Sequence, residues 1–88
     1  MTHEEAIQTQ EEVRPLLTSY LFKEEHKFEI GKYEYNPKGE DTPEYYLHII
    51  FPTKFIPGEI LRRLAAYCNE NGRSISIAAV YDLYISIS

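Results

Sequence analysis

From Ser74 to Ser88 the chain alternates with a period of two. Ile75, Ile77, Ala79, Tyr81, Leu83, Ile85 and Ile87 take the odd positions, while Ser74, Ser76, Ala78, Val80, Asp82, Tyr84, Ser86 and Ser88 take the even ones. Successive side chains of a β-strand point to opposite faces, so this pattern predicts extended chain with one buried face. Its length is the constraint. At about 3.3 Å per residue the segment would span roughly 50 Å, whereas a chain of 88 residues packs to a radius of gyration of about 12 Å. The segment must bend, fold back, or leave its own globule.

A hairpin between Ala79 and Leu83 keeps the odd face intact if its loop holds three residues. Such a loop favours glycine in a left-handed conformation, and Val80-Tyr81-Asp82 offers only Asp as a tolerable substitute. A bend at Ala78–Ala79 leaves most of the strand overrunning the sheet. The segment also lacks the Pro and Lys that discourage pairing at natural sheet edges. The pattern therefore predicts one continuous edge strand. Ala79, Tyr81, Leu83 and Ile85 would pair antiparallel with a second copy, giving a two-fold homodimer.

Upstream, Thr2-His3-Glu4-Glu5 fits a helix capping box. The stripe Val13, Leu16, Leu17, Tyr20, Leu21 predicts an amphipathic helix ending near Phe22, weak in its first turns and kinked at Pro15. A charged linker, Lys23 to His26, follows. Lys27 to Tyr35 reads as a strand, and the change of parity between Ile30 and Tyr33 predicts a bulge at Gly31–Lys32. Asn36-Pro37-Lys38-Gly39 has the chemistry of a type I turn. Glu44 to Phe51 is apolar on both faces, as a central strand should be, and ends at Pro52. Pro57 opens a second helix whose stripe is Ile60, Leu61, Leu64, Ala65, Tyr67 and Cys68, and Asn71-Gly72 stops it.

The order helix, strand, strand, helix, strand predicts a single α+β domain over 1–88. It has two layers: a three-stranded mixed sheet with both helices on one face, and the long C-terminal strand at the edge. Leu61, Leu64, Leu17, Leu47 and Ile77 are the expected core.

No catalytic, metal-binding or phosphate-binding motif is present. A net charge of −5, with Lys and Arg scattered, argues against nucleic acid as a partner. A single cysteine, Cys68, excludes an internal disulfide and fits a reducing compartment. The first residues lack the basic and apolar regions of a secretion signal, and no apolar run is long enough to span a membrane. Cytoplasmic location, with no cofactor and no metal, is the expectation.

Composition supplies one lead: eight Tyr and four Phe with no Trp. If the helices cover the odd face of the second strand, the other face presents Tyr46, His48 and Ile50, joined by Val80 and Tyr84. Such a patch suits an interface. The leading expectation is a small interaction or regulatory domain that self-associates through its C-terminal strand or this Tyr-rich face. The rivals are a small enzyme with acid–base chemistry at His48, beside Glu44 or Asp82, and a single-stranded nucleic-acid binder stacking bases on Tyr46 and Tyr84.

Overall fold

The computed structural model describes residues 1–18, 25–33, 43–79 and 81–88. The first helix, α1 (His3–Leu17), starts where the capping box places it. The Glu5 amide donates to Thr2 Oγ1 at 3.1 Å, and the Thr2 amide donates back to the Glu5 carboxylate at 2.8 Å. Its early turns are not frayed. Ala6, Thr9, Val13 and Leu17 form a buried stripe at three- and four-residue spacing. Thr9 was overlooked as a stripe position because it is polar. Its hydroxyl donates to the Glu5 carbonyl at 2.7 Å, so burial leaves no unmet polar group. Pro15 lies within the last turn of a continuous helix. The expected end of the helix at Tyr20, Leu21 and Phe22 lies outside the described residues, as do the Asn36–Gly39 turn and Tyr35.

Strands β1 (Lys27–Lys32) and β2 (Tyr45–Phe51) pair antiparallel, from Lys27 opposite Ile50 to Lys32 opposite Tyr45. This register is regular, which removes the expected bulge at Gly31–Lys32. Ile30 and Tyr33 therefore lie on opposite faces. The parity change has a different cause, the ring of Tyr46 on the neighbouring strand.

Helix α2 (Gly58–Glu70) follows, with Pro57 as its N-cap. It stops at Gly72, whose φ of +64° is the left-handed value that glycine adopts without penalty. The Arg73 amide reaches back to the Cys68 carbonyl at 2.8 Å, the closing bond of a Schellman motif. Ile60, Leu64 and Cys68 are buried, Leu61 and Tyr67 half-buried, and Ala65 exposed.

The largest correction concerns the C-terminal segment. It is two strands, β3 (Ile75–Ala79) and β4 (Leu83–Ile87), folded into a hairpin with Ala79 opposite Leu83. Asp82, the residue expected to take a left-handed conformation there, is not among the described residues of positive φ; Val80 lies outside the described residues. Strand β4 inserts between β2 and β3, giving a four-stranded sheet in the order β1-β2-β4-β3. Every neighbouring pair is antiparallel, so the sheet is neither three-stranded nor mixed. The connection from β2 through α2 to β3 still joins strands of the same direction, but β4 occupies the place between them.

One face of the sheet carries the core. Leu47, Ile49 and Phe51 from β2 and Ile85 and Ile87 from β4 cluster with Val13, Leu17, Ile60, Leu64 and Cys68 from the helices. Both helices thus pack on one face, as the two-layer reading requires. Two members of the expected core fall short. Leu61 is half-buried at the margin of the cluster, and Ile77, which shares the helix-side face with Ile85, is 48% exposed on the outer strand β3.

Candidate functional site

Among the described residues, both helices lie on the core side of the sheet and none covers the opposite face. Residues paired across an antiparallel ladder share a face. The face therefore carries Lys27, Glu29 and Gly31 along β1 with Tyr33 just past its end, then Tyr46, His48 and Ile50 along β2. Ser86 and Tyr84 of β4 and Ser76 and Ala78 of β3 complete it. Tyr46, His48 and Tyr84 come together as the alternation implies, and Tyr33 joins them. Tyr33 and Tyr46 meet edge-on with ring centroids 4.9 Å apart. Tyr46 and His48 are tilted at 4.3 Å, and His48 meets Tyr84 edge-on at 5.7 Å. The result is a continuous row of rings across the three adjacent strands.

Gly31 makes the row possible. A Cβ built at this position would overlap the Tyr46 ring, so the ring lies directly over the glycine backbone. An aromatic covering a cross-strand glycine is a known way to close the gap that a missing side chain leaves. This contact is the physical reason for the glycine, and it replaces the bulge. Tyr33 was missed because the assumed bulge sent it to the helix side.

Ile50 lies on this face but is only 3% exposed, so it belongs to the packed part of the sheet rather than to an open surface. Val80, expected beside it, lies outside the described residues. Burial among the rings pushes the His48 imidazole below its ordinary pKa of 6.5, against the opposing pull of the Glu29 carboxylate directly across the ladder. Glu44, the other acid considered for His48, instead accepts from the amino group of Met1 at 2.7 Å. Asp82 sits in the hairpin loop just before β4. The geometry sets His48 among tyrosines, with Glu29 rather than Glu44 or Asp82 as the acid directly across the ladder.

The strand-edge residues fall into different places. Leu83 and Ile85 lie in β4, an interior strand, opposite Phe51 and Ile49 on one side and Ala79 and Ile77 on the other. They are not at an edge. Tyr81 projects from the hairpin loop at 82% exposure. Ala79 alone lies on the true edge strand, β3.

That edge can be resolved group by group. Ser74 and Ser88 exchange both backbone bonds, at 2.9 and 3.0 Å. Antiparallel ladders alternate hydrogen-bonded and non-bonded pairs. Ser76 and Ala78 therefore direct their amides and carbonyls toward β4, while Ile75, Ile77 and Ala79 direct theirs outward. Among the described residues nothing pairs with that outer side. The other edge, β1, is guarded differently. It carries Lys27, Glu29 and Lys32, and the Arg14 guanidinium lies 5.2 Å over the Phe28 ring.

A polar cleft of about 140 Å³ between the helices is lined in part by Glu5, Glu12, Tyr67 and Arg73. Tyr67 Oη donates to Glu12 at 3.2 Å, and Arg73 donates to Glu5 at 3.0 Å, so these groups answer one another. The Thr2 amide, with Arg73 adding to it, holds the Glu5 carboxyl at a pKa of about 2. Cys68 is buried, and that burial pushes its thiol above the ordinary value, away from nucleophilic use. Among the described residues no cluster of His, Cys, Asp and Glu is placed to hold a metal ion, and no helix is long and apolar enough to cross a membrane. The chain matches no family model, no curated protein and no solved structure.

Proposed function

We propose that this chain is a small protein-association domain that works by strand addition at the β3 edge. The observation that carries this reading is the edge itself. Ile75, Ser76, Ile77, Ala78 and Ala79 form an outer strand with no charge and no proline, and outward-facing amides and carbonyls. Natural edges are normally blunted by a lysine, a proline or a bulge, because an open edge recruits another strand. Recognition by strand addition draws affinity from the main chain and specificity from alternate side chains. Ile77 and Tyr81, two of the large apolar side chains most open to water, lie along this same hairpin.

The test is photocrosslinking in the native cell. A photoreactive phenylalanine analogue at Ala79 should capture a discrete adduct. The same analogue at Arg62, on the outer surface of α2, should capture none. Ile77→Lys should abolish the Ala79 adduct while leaving the melting temperature within a few degrees. Equal labelling from both positions, or an adduct indifferent to Ile77→Lys, refutes strand addition.

The row Tyr33–Tyr46–His48–Tyr84 favours a second reading, in which bases of a single strand stack on the open face. A net charge of −5 opposes it. Titration with a short single-stranded oligonucleotide at low salt decides the matter: no binding at about 100 µM, a weak affinity for any specific complex, retires it.

A further inference from the structure

We infer that the strand added at β3 is β3 of a second copy of this chain, paired antiparallel about Ile77. The inference rests on the strand-addition reading and names its partner. Outward groups belong to Ile75, Ile77 and Ala79. A two-fold axis through Ile77 sets that residue opposite its own copy, and Ile75 opposite Ala79 of the copy. In this register every outward amide meets an outward carbonyl, since all the facing pairs are of the hydrogen-bonded kind. No outward group is left over on either chain. The strand is its own complement.

Side chains agree with the backbone. Directly opposed residues share a face, so the two Ile77 side chains meet on the helix side, where each is now 48% exposed. On the other face Ser76 lies opposite Ala78 of the copy, a small pair that cannot clash. An isologous contact of this kind closes after two chains, because each β3 edge is consumed by the other. The remaining β1 edges of the joined sheet carry Lys27, Glu29 and Lys32 and do not invite further addition.

Charge supplies a signature that separates self-pairing from capture of a different protein. Each copy carries −5, so two copies repel at long range, whereas the β3 strands themselves carry no charge. Salt screens that repulsion over about 10 Å at 0.1 M. Self-association should therefore tighten as salt rises, while binding of a basic partner should weaken.

The experiment combines sedimentation with amide hydrogen exchange on the whole chain. At about 100 µM, well above a micromolar dissociation constant, the mass should be that of two chains. Dilution or Ile77→Lys should return it to one. Raising salt should lower the dissociation constant several-fold. Amides of Ile77 and Ala79 should gain protection with concentration, while those of Ser76 and Ala78 should be protected at every concentration. A single-chain mass at that concentration overturns the self-partner and leaves strand addition to be judged by the crosslinking at Ala79. A dimer in which the Ile77 and Ala79 amides stay unprotected also overturns the self-partner, because the chains would then meet elsewhere, and strand addition again stands or falls by the crosslinking at Ala79.

Discussion

Proline placed at two adjacent positions of β3 reads out which way its backbone faces. Ser76 directs its amide to β4, and Ile77 directs its own outward. Ser76→Pro removes a ladder bond with a net worth of about 0.5–1.5 kcal/mol and strands the Ser86 carbonyl, which adds about 1–3 kcal/mol where that oxygen is shielded from water. Ser86 is half-buried, which favours the lower part of that range, for a loss of about 2–3 kcal/mol. Ile77→Pro removes no bond within the chain. Its cost is the buried half of an isoleucine side chain, or about 1 kcal/mol on a scale of about 1.5–3 kcal/mol for full burial. Both residues before the prolines are already extended, as proline requires. Urea unfolding at submicromolar protein, where association contributes nothing, should therefore separate the variants by about 1–2 kcal/mol, with Ser76→Pro the weaker. Equal losses, or a larger loss at Ile77, would mean that the outward set has been assigned to the wrong residues.

The C-terminal hairpin marks where sequence pattern stops being informative. A three-residue loop sets Ala79 opposite Leu83, odd opposite odd, so the alternation runs through the reversal without a break. Periodicity is blind to such a turn. Only the mismatch between the roughly 50 Å of extended chain and the size of the globule pointed to it. Loop chemistry then argues against the correct answer, because Val80-Tyr81-Asp82 holds no glycine to signal the reversal. At Gly31 the pattern misled in the opposite direction. The parity change suggests a bulge, but its cause is the Tyr46 ring lying over the glycine from the neighbouring strand. Such a contact is not local and leaves no mark in the spacing of β1. What was legible was local: the Thr2–Glu5 box, the Gly72 stop, the stripe through Leu64, and the grouping of Tyr46, His48 and Tyr84 on one face. Sheet order was not, since it depends on which strand β4 joins.

Four further outcomes test the packing and the electrostatics. Leu64 is fully buried between helix and sheet, so Leu64→Ala should cost about 2–5 kcal/mol by denaturant unfolding; a loss below about 1 kcal/mol would displace α2 from the core. Gly31→Ala gains about 0.4–1 kcal/mol from a stiffer unfolded chain but drives the Tyr46 ring aside and forfeits about 0.5–1.5 kcal/mol of ring packing. Stability should therefore change little while the NMR shifts of His48 and Tyr33 move, and unmoved shifts would dissolve the row. Asp82→Gly should destabilise by about 0.4–1 kcal/mol, because a residue already at negative φ gains nothing from glycine; stabilisation would reveal a left-handed position in the loop. The last test is pH. His48 has a folded pKa below its ordinary 6.5 because burial disfavours the imidazolium, so the unfolded chain binds its proton first. Stability is then fully present above about pH 6.5 and falls as pH drops toward the lower folded value. Glu5 behaves as a lowered carboxyl: its contribution is present above 4.5 and is lost as pH falls toward about 2. The windows do not coincide. His48→Gln should flatten the stability profile just below pH 6.5 and leave the acid limb intact, whereas Glu5→Gln should do the reverse. If His48→Gln leaves the slope below pH 6.5 unchanged, the imidazole is not buried among the rings, and the row does not form in solution.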